Sequence, residues 1–220
     1  MRIKLMIFVL GWLLSAQLPA LSDEQSQLLA AVRTGKVDVA TALVKKGIDV
    51  NFARGASPLL VAVGRQDLGL VKLLLSYGAD VNFFDEQQHT VLIMAIDSGN
   101  LELFKLIMAQ EPDLNTQSRA IPLRTPLMQA AENGEMEMAR LLVEAGADIH
   151  IEDYYEDQAL AFAAYHNRPE VVEFLVASGA ELNHVSSQNR TPLDHARRKG
   201  LADAKQILLN LGAKAFVDLK

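Results

Sequence analysis

The sequence predicts an all-α solenoid of six helix-turn-helix repeats joined by short extended fingers, and three observations predict it. First, a turn-plus-helix start recurs as SPLLVAVGRQ from Ser57, TVLIMAIDSG from Thr90, TPLMQAAENG from Thr125, QALAFAAYHN from Gln158 and TPLDHARRKG from Thr191, at spacings of 33, 35, 33 and 33 residues. Second, each start is followed by another short apolar stripe that its own partner helix cannot cover, so adjacent copies must stack to bury it. Third, half of the residues are hydrophobic and 22% are charged. That composition supplies a core and excludes a disordered tail.

The elements follow in order. Repeat one is degenerate: SQLLAAVRTG from Ser26 lies 31 residues before Ser57 and is placed by Gly35 and Gly47. Ahead of it, Ser22 and Gln25 have the spacing of a capping box for the first helix. In repeats two, four and six, Ser57, Thr125 and Thr191 can cap a helix whose first position is Pro58, Pro126 or Pro192, where a missing N–H costs nothing. Gly35, Gly99, Gly134, Asn167 and Gly200 suit the left-handed conformation that ends each first helix, and repeat two has Gln66 in that slot. The second helices carry Leu70, Val71, Leu73, Leu74 and Leu75 in repeat two, Leu103, Phe104, Leu106, Ile107 and Met108 in repeat three, and Val171, Val172, Phe174, Leu175 and Val176 in repeat five. These stripes are core. Gly47, Gly78, Gly146 and Gly179 then lead into the fingers. Repeat three reads AQEPDLN, so Glu111 and Pro112 predict an atypical turn, followed by a finger two residues longer. Repeat six ends the stack with Arg197, Arg198, Lys199, Lys205, Gln206 and Asn210 diluting its apolar face, as a solvent-facing end requires.

The starts just quoted, together with KKGIDVN, SYGADVN, EAGADIH and ASGAELN after the second helices, resemble the ankyrin-repeat family. The family pattern is T-P-L-H-x-A, a second helix and a G-A-D-V-N turn. The resemblance covers nearly all of residues 23–220, as repeats over 26–56, 57–89, 90–124, 125–157, 158–190 and 191–220. One departure stands out: the family histidine is replaced in every copy, by Leu29, Leu60, Ile93, Met128, Ala161 and Asp194. The threonine-to-histidine relay between repeats is therefore expected to be missing, with apolar packing carrying more of the stability.

Residues 1–22 read as a secretory signal peptide: Arg2 and Lys4, an apolar run from Leu5 to Leu14 interrupted by Gly11, then small and turn-forming residues. Cleavage is expected after Ala20 or after Ser22, with Asp23 the favoured mature start. The alternative is an uncleaved anchor in the inner membrane over residues 3–21, for which the apolar run is short against the roughly 20 residues needed to span a bilayer. Without cysteine, lipid attachment and disulfides are excluded. The chain carries 21 Lys+Arg and 27 Asp+Glu; losing Arg2 and Lys4 with the leader takes the formal charge from −6 to −8. An acidic surface repels nucleic acid and anionic lipid. The expected partner is therefore a protein, one with a basic patch fitting best, and the chain is expected to be a monomer.

In the ankyrin family, partners are held by the finger tips and the concave face of the first helices. The equivalent slots here are Ala30, Arg33 and Thr34; Val61, Gly64 and Arg65; Met94, Asp97 and Ser98; Gln129, Glu132 and Asn133; Phe162, Tyr165 and His166; and His195, Arg198 and Lys199. The centre is acidic and aromatic, the ends basic. Phe162 and Tyr165, three apart on one helix, share a face and are candidate anchors, the alternative being that they pad their neighbours. In the finger IEDYYED, Tyr154 and Tyr155 fall at a tip ringed by Glu152, Asp153, Glu156 and Asp157, a pattern that suits an apolar contact inside negative charge or, alternatively, a plain solvated loop. Phe83 of the finger FFDEQQH is expected to pack, with Phe84 undecided. The candidate partner-binding residues are thus Asp97, Glu132, Tyr154, Tyr155, Phe162, Tyr165 and His166.

No enzyme is predicted. The sequence has no Gly-rich phosphate loop, no H-E-x-x-H and no cysteine, and the histidines are scattered at 89, 150, 166, 184 and 195. No metal or cofactor is expected, although His150 and His184 lie one finger apart in similar register. Paired-carboxylate catalysis would need Asp97 and Glu132 in a closed pocket. The resemblance to small exported ankyrin proteins of Gram-negative bacteria implies a periplasmic binding module, either a stress-protective accessory of catalase or an immunity protein against a secreted toxin. An envelope-anchored scaffold is the alternative class, and a hydrolase on this frame has no motif behind it.

Overall fold

The structure, a computed structural model, describes residues 21–52, 57–85, 89–118, 123–198 and 202–219; the side chain of Arg198, Lys199 and the whole apolar run of the leader lie outside the described residues. Among them are twelve α-helices in six antiparallel pairs: α1 Asp23–Thr34 and α2 Val37–Lys45, α3 Pro58–Gly64 and α4 Leu68–Ser76, α5 Val91–Asp97 and α6 Leu101–Met108, α7 Pro126–Asn133 and α8 Met136–Glu144, α9 Ala159–Tyr165 and α10 Pro169–Ala177, α11 Pro192–Arg198 and α12 Ala202–Asn210. A 3-10 turn, Phe216–Asp218, closes the chain. None of these helices is long and apolar enough to cross a membrane.

Local chemistry sets the helix starts. The side chains of Ser57, Thr90 and Thr125 accept the N–H of Leu60, Ile93 and Met128. Ser22 and Gln25 form the reciprocal capping box at the start of α1, as their spacing predicts. Gln158 makes no such cap, so α9 starts without one.

The turns after the first helices need a left-handed residue, and they obtain one even where glycine is missing. Gln66 has φ 54° and Asn167 φ 55°, beside 72° at Gly35 and 79° at Gly134. Repeat three has the atypical turn that Glu111 and Pro112 predict, since Pro112 has no N–H to make the bond that Ala79, Ala147, Ala180 and Ala213 make in theirs, but it keeps the same backbone conformation. Glu111 takes φ 51° and does the work of the glycine found in the other copies, because the hairpin geometry demands that conformation whatever residue supplies it.

Each first helix packs against the first helix of the next repeat along the whole stack. Of the second-helix stripes, Leu70, Val71, Leu74, Leu103, Phe104, Ile107, Val171, Val172 and Leu175 are buried in the core, whereas Leu73, Leu75, Leu106, Met108, Phe174 and Val176 are only partly buried and pack against it. Five of the six residues in the family-histidine slot, Leu29, Leu60, Ile93, Met128 and Ala161, are buried apolar residues. The sixth behaves differently. Asp194 accepts hydrogen bonds from the Thr191 N–H, the Thr191 hydroxyl and the Phe216 N–H, so repeat six rebuilds a polar link and spends it on tying down the C-terminal segment.

The fingers are hairpin tips rather than extended strands; among the described residues the only ladder contact is the isolated bridge of Phe84 with Thr90. Besides inner backbone bonds from Glu156 N to Asp153 O and from Asn189 N to Ser186 O, four tips are closed by a backbone bond each, from Asp85 N to His89 O, Ser118 N to Arg124 O, Asp153 N to Asp157 O and Ser186 N to Arg190 O. The second of these encloses two more residues than the others, which is the longer finger expected after repeat three. Phe83 packs against the core. At the finger bases, asparagine clips one repeat to the next: the Oδ1 atoms of Asn51, Asn82, Asn115 and Asn183 accept the N–H of Asp80, Asp113, Asp148 and Lys214. Between repeats four and five the slot holds His150, whose Nδ1 lies 3.6 Å from Glu181 instead.

Candidate functional site

Two arginines define the site because each precedes a helix-starting Thr-Pro, in the tetrapeptides Arg124-Thr125-Pro126-Leu127 and Arg190-Thr191-Pro192-Leu193. Position and capping together fix the arginine at the base of its finger, beside the face of the first helices. Arg124 forms an ion pair with Glu132 of α7, both side chains being mostly shielded. Its guanidinium also lies over the Phe162 ring of α9, 5.2 Å from the centroid, a cation–π distance. Glu132 faces a second basic group, His166 Nε2, at 3.7 Å. Arg190 donates to Gln188 Oε1 on its own finger.

The finger of repeat four supplies the opposite charge. Asp153, only 7% exposed, accepts the N–H groups of Tyr155 and Asp157 through Oδ1 at 2.8 Å each, and this bracket turns the chain so that Tyr154 and Tyr155 project. Burial pushes its carboxyl above the usual range; the charge of Asp157 adds to this, while the two N–H bonds and the pull of Arg124 oppose it. Asp157 Oδ1 lies 3.0 Å from Nε2 of the buried His195 on α11. The finger is held from the next repeat by Ser187, whose N–H and hydroxyl both donate to Tyr155 O.

These groups surround a cavity of about 300 Å³ on the face of the first helices, spanning repeats four to six. Its aromatic walls are Tyr155, Phe162 and Tyr165; its polar lining includes Arg124, Asp153, Asp157, His166, Arg190 and His195. Tyr165 packs edge-on to both histidines, with ring centroids 5.0 Å from His166 and 6.0 Å from His195. It is open to solvent, aromatic and lined by both charges, which suits recognition of a side chain more than chemistry on it.

The structure therefore brings together Tyr155, Phe162, Tyr165 and His166 in one cavity, with Glu132 behind it holding Arg124 and His166. Tyr154 stands outside, 58% exposed, its ring edge-on to Tyr155 at 5.3 Å. Asp97 is also outside: it is exposed and accepts a hydrogen bond from Asn133 at 3.0 Å. Asp97 and Glu132 thus have separate partners and do not form a carboxylate pair. Sequence reasoning passed over Arg124, Gln188 and Arg190, and read Asp153 and Asp157 only as part of an acidic ring. The repeated R-T-P-L tetrapeptide was the available signal. His150 and His184 meet through the Glu181 carboxylate, at 3.6 and 3.4 Å, and among the described residues no group of three or more His, Asp or Glu is placed to hold a metal ion.

The family model described as ankyrin repeats (3 copies) matches residues 9–85, 28–118, 92–186 and 127–218. The chain is 26% identical over 196 residues to the putative ankyrin repeat protein YahD of Escherichia coli, covering 84% of this chain and 95% of YahD. It is 29% identical over 180 residues to an L-asparaginase of Dirofilaria immitis, covering 80% of this chain and 30% of that enzyme. It is 34% identical over 129 residues to the putative ankyrin repeat protein FPV244 of Fowlpox virus, covering 57% of this chain and 18% of the viral protein. The chain thus spans less than a third of the length of these last two relatives. In structure it is similar to the human ASB11 ankyrin repeat domain, with a TM-score of 0.71 at 24% identity over 85% of this chain and 84% of that one. Ankyrin repeats mediate protein–protein interaction. With the family model tiling nearly the whole sequence over a stack of six helix pairs, the chain belongs to the ankyrin-repeat family.

Proposed function

We propose that this protein is an exported binding module that holds a partner protein through the concave face of repeats four to six and the Tyr154–Tyr155 finger tip. The observation that carries this reading is the convergence of Tyr155, Phe162, Tyr165 and His166 on one open cavity beside an acidic finger. A solenoid core has no need of large aromatic side chains there, and partly exposed tyrosines give contact area at low entropic cost. The formal charge of −6 favours a partner with a basic patch. Export rests on Arg2, Lys4 and the following apolar run, and places the partner in the bacterial periplasm. YahD, matched over 95% of its own length, supports a bacterial ankyrin-repeat protein as the frame of this reading.

Two roles fit such a module: support of catalase under peroxide stress, or immunity against a secreted toxin. The genes beside this one separate them. The test of the binding reading is capture from periplasmic extract, with the bound protein identified by mass spectrometry for the wild type and for the variant Tyr155→Ala with Tyr165→Ala. Loss of one specific protein with an unchanged helical melting curve supports the groove; undiminished capture places the site elsewhere. N-terminal sequencing of protein from the envelope fraction tests export, and an intact Met1 refutes the cleaved leader.

A further inference from the structure

The cavity is lined by two arginines and two aspartates, and their pairing is uneven. Arg124 is spoken for by Glu132 and sits on Phe162. Asp157 has His195, while Arg190 has only the neutral amide of Gln188. Asp153 has no cation within salt-bridge distance among the described residues, and both hydrogen bonds that it accepts go to Oδ1, leaving Oδ2 without a hydrogen bond. A carboxylate that is 93% shielded with no counter-ion in contact is a costly arrangement, offset only in part by the two N–H groups that it accepts and by the pull of Arg124. An incoming anion would have to approach Asp153 and Asp157 together. An incoming cation would meet Asp153, the more shielded of the two charges in the cavity that have no counter-ion, the other being the half-buried Arg190.

We propose that this cavity is the receptor for a single basic side chain of the partner, an arginine or a lysine, with Asp153 as the principal acceptor, Asp157 as the second, and the rings of Tyr155, Phe162 and Tyr165 around its aliphatic stem. The inference rests on the concave-face reading above and adds the chemistry of the anchor. Three further features agree with it. Aromatic rings and carboxylates together are a favourable environment for guanidinium and ammonium groups. Glu152 and Glu156, flanking the tyrosines on the same exposed finger, extend the negative field outward and steer basic segments toward the opening. Burial pushes the Asp153 carboxyl above its ordinary range, a cost of holding the charge there that a cation in contact would offset.

The test is an NMR titration of the purified protein with four capped tripeptides, acetyl-Ala-X-Ala-amide, in which X is Arg, Lys, Leu or Glu. The Arg and Lys peptides should give saturable shifts centred on Tyr155, Asp157, Phe162 and His195, and the Leu and Glu peptides none. Asp153→Asn keeps an Oδ1 acceptor for the finger turn and should weaken the Arg peptide at least about tenfold, the scale of one charge-assisted contact. Asp157→Asn serves as the second variant should the first disturb the turn. Saturation by the Glu peptide, no shift with any peptide, or unchanged affinity in both variants overturns the proposal. If that happens while Tyr155→Ala with Tyr165→Ala still abolishes partner capture, the groove stands and only this subsite falls; if capture survives the tyrosine pair, the groove itself falls.

Discussion

Along the face of the first helices, repeats one to three place Ala30, Arg33, Thr34, Val61, Gly64, Arg65, Met94, Asp97 and Ser98, with no aromatic or imidazole side chain, where repeats four to six place Gln129, Glu132, Asn133, Phe162, Tyr165, His166 and His195. Beneath the two halves the core is the same, with fully buried Leu70, Leu74 and Phe104 in one matched by Leu142, Val172 and Leu175 in the other. Side chains that hold the stack are therefore interchangeable in kind, and those that face the groove are not. In an array whose stability is roughly a sum over neighbouring units, the outward positions are free to diverge, and the proposed binding surface lies where the aromatic side chains collect. The junction of repeats four and five differs on the finger side too, where His150 takes the place of the asparagine clip.

The comparison can be broken in several ways, beginning with the largest effect. Phe104→Ala and Leu142→Ala empty fully buried positions in opposite halves and should cost about 2–5 kcal/mol each in urea unfolding. A loss confined to one half contradicts the shared core. Tyr155→Ala with Tyr165→Ala should weaken partner binding by about 2 kcal/mol or more while Val61→Ser with Met94→Ala leaves it within about 0.5 kcal/mol, measured by calorimetry with the captured partner.

Asp194→Ala removes the acceptor shared by Thr191 and Phe216 and should cost about 1–2 kcal/mol, with earlier fraying of the C-terminal turn in hydrogen exchange. The pH dependence sharpens the contrast between two carboxylates. At Asp194 burial pushes upward most strongly, but the N–H of Phe216, the N–H and hydroxyl of Thr191 and the charge of Arg197 together hold the carboxyl below its usual value. Its stabilisation is present above the unfolded pKa and is lost as pH falls through the lower folded one. At Asp153 the direction is reversed: the fold binds the proton more tightly than the unfolded chain, so stability declines as pH rises through the raised folded pKa. Asp153→Asn should therefore be neutral or slightly stabilising near neutrality, its advantage fading toward acid, whereas Asp194→Asn should be most harmful near neutrality. Urea midpoints across that range check both signs.

Most of the fold was legible because each repeat declares itself through residues with narrow conformational roles. Ser57, Thr125 and Pro126 can start a helix, and a glycine at φ above 60° ends one. Where those residues are missing, the hairpin still forms, as Gln66 and Glu111 show; packing of Leu70 or Leu103 against adjacent repeats outweighs the local strain at a single residue. The site was half legible. Phe162, Tyr165 and His166 could be placed from helical register alone. Arg124 and Arg190 carried a signal in the repeated R-T-P-L tetrapeptide, but their meeting with Asp153 could not be placed, because the curvature of the fingers brings residues from three repeats together and register says nothing about where a finger folds back. Asp194 was misjudged for a related reason: the residue that it ties down, Phe216, belongs to a tail with no repeat pattern.

Amide hydrogen exchange with and without the captured partner tests the central claim most directly, since it reads both halves of the face in one experiment. The asymmetry described here predicts new protection over residues 124–133, 152–166 and 186–195, with residues 26–98 unchanged. Protection confined to residues 26–98, or spread evenly along the first helices of all six repeats, would contradict it.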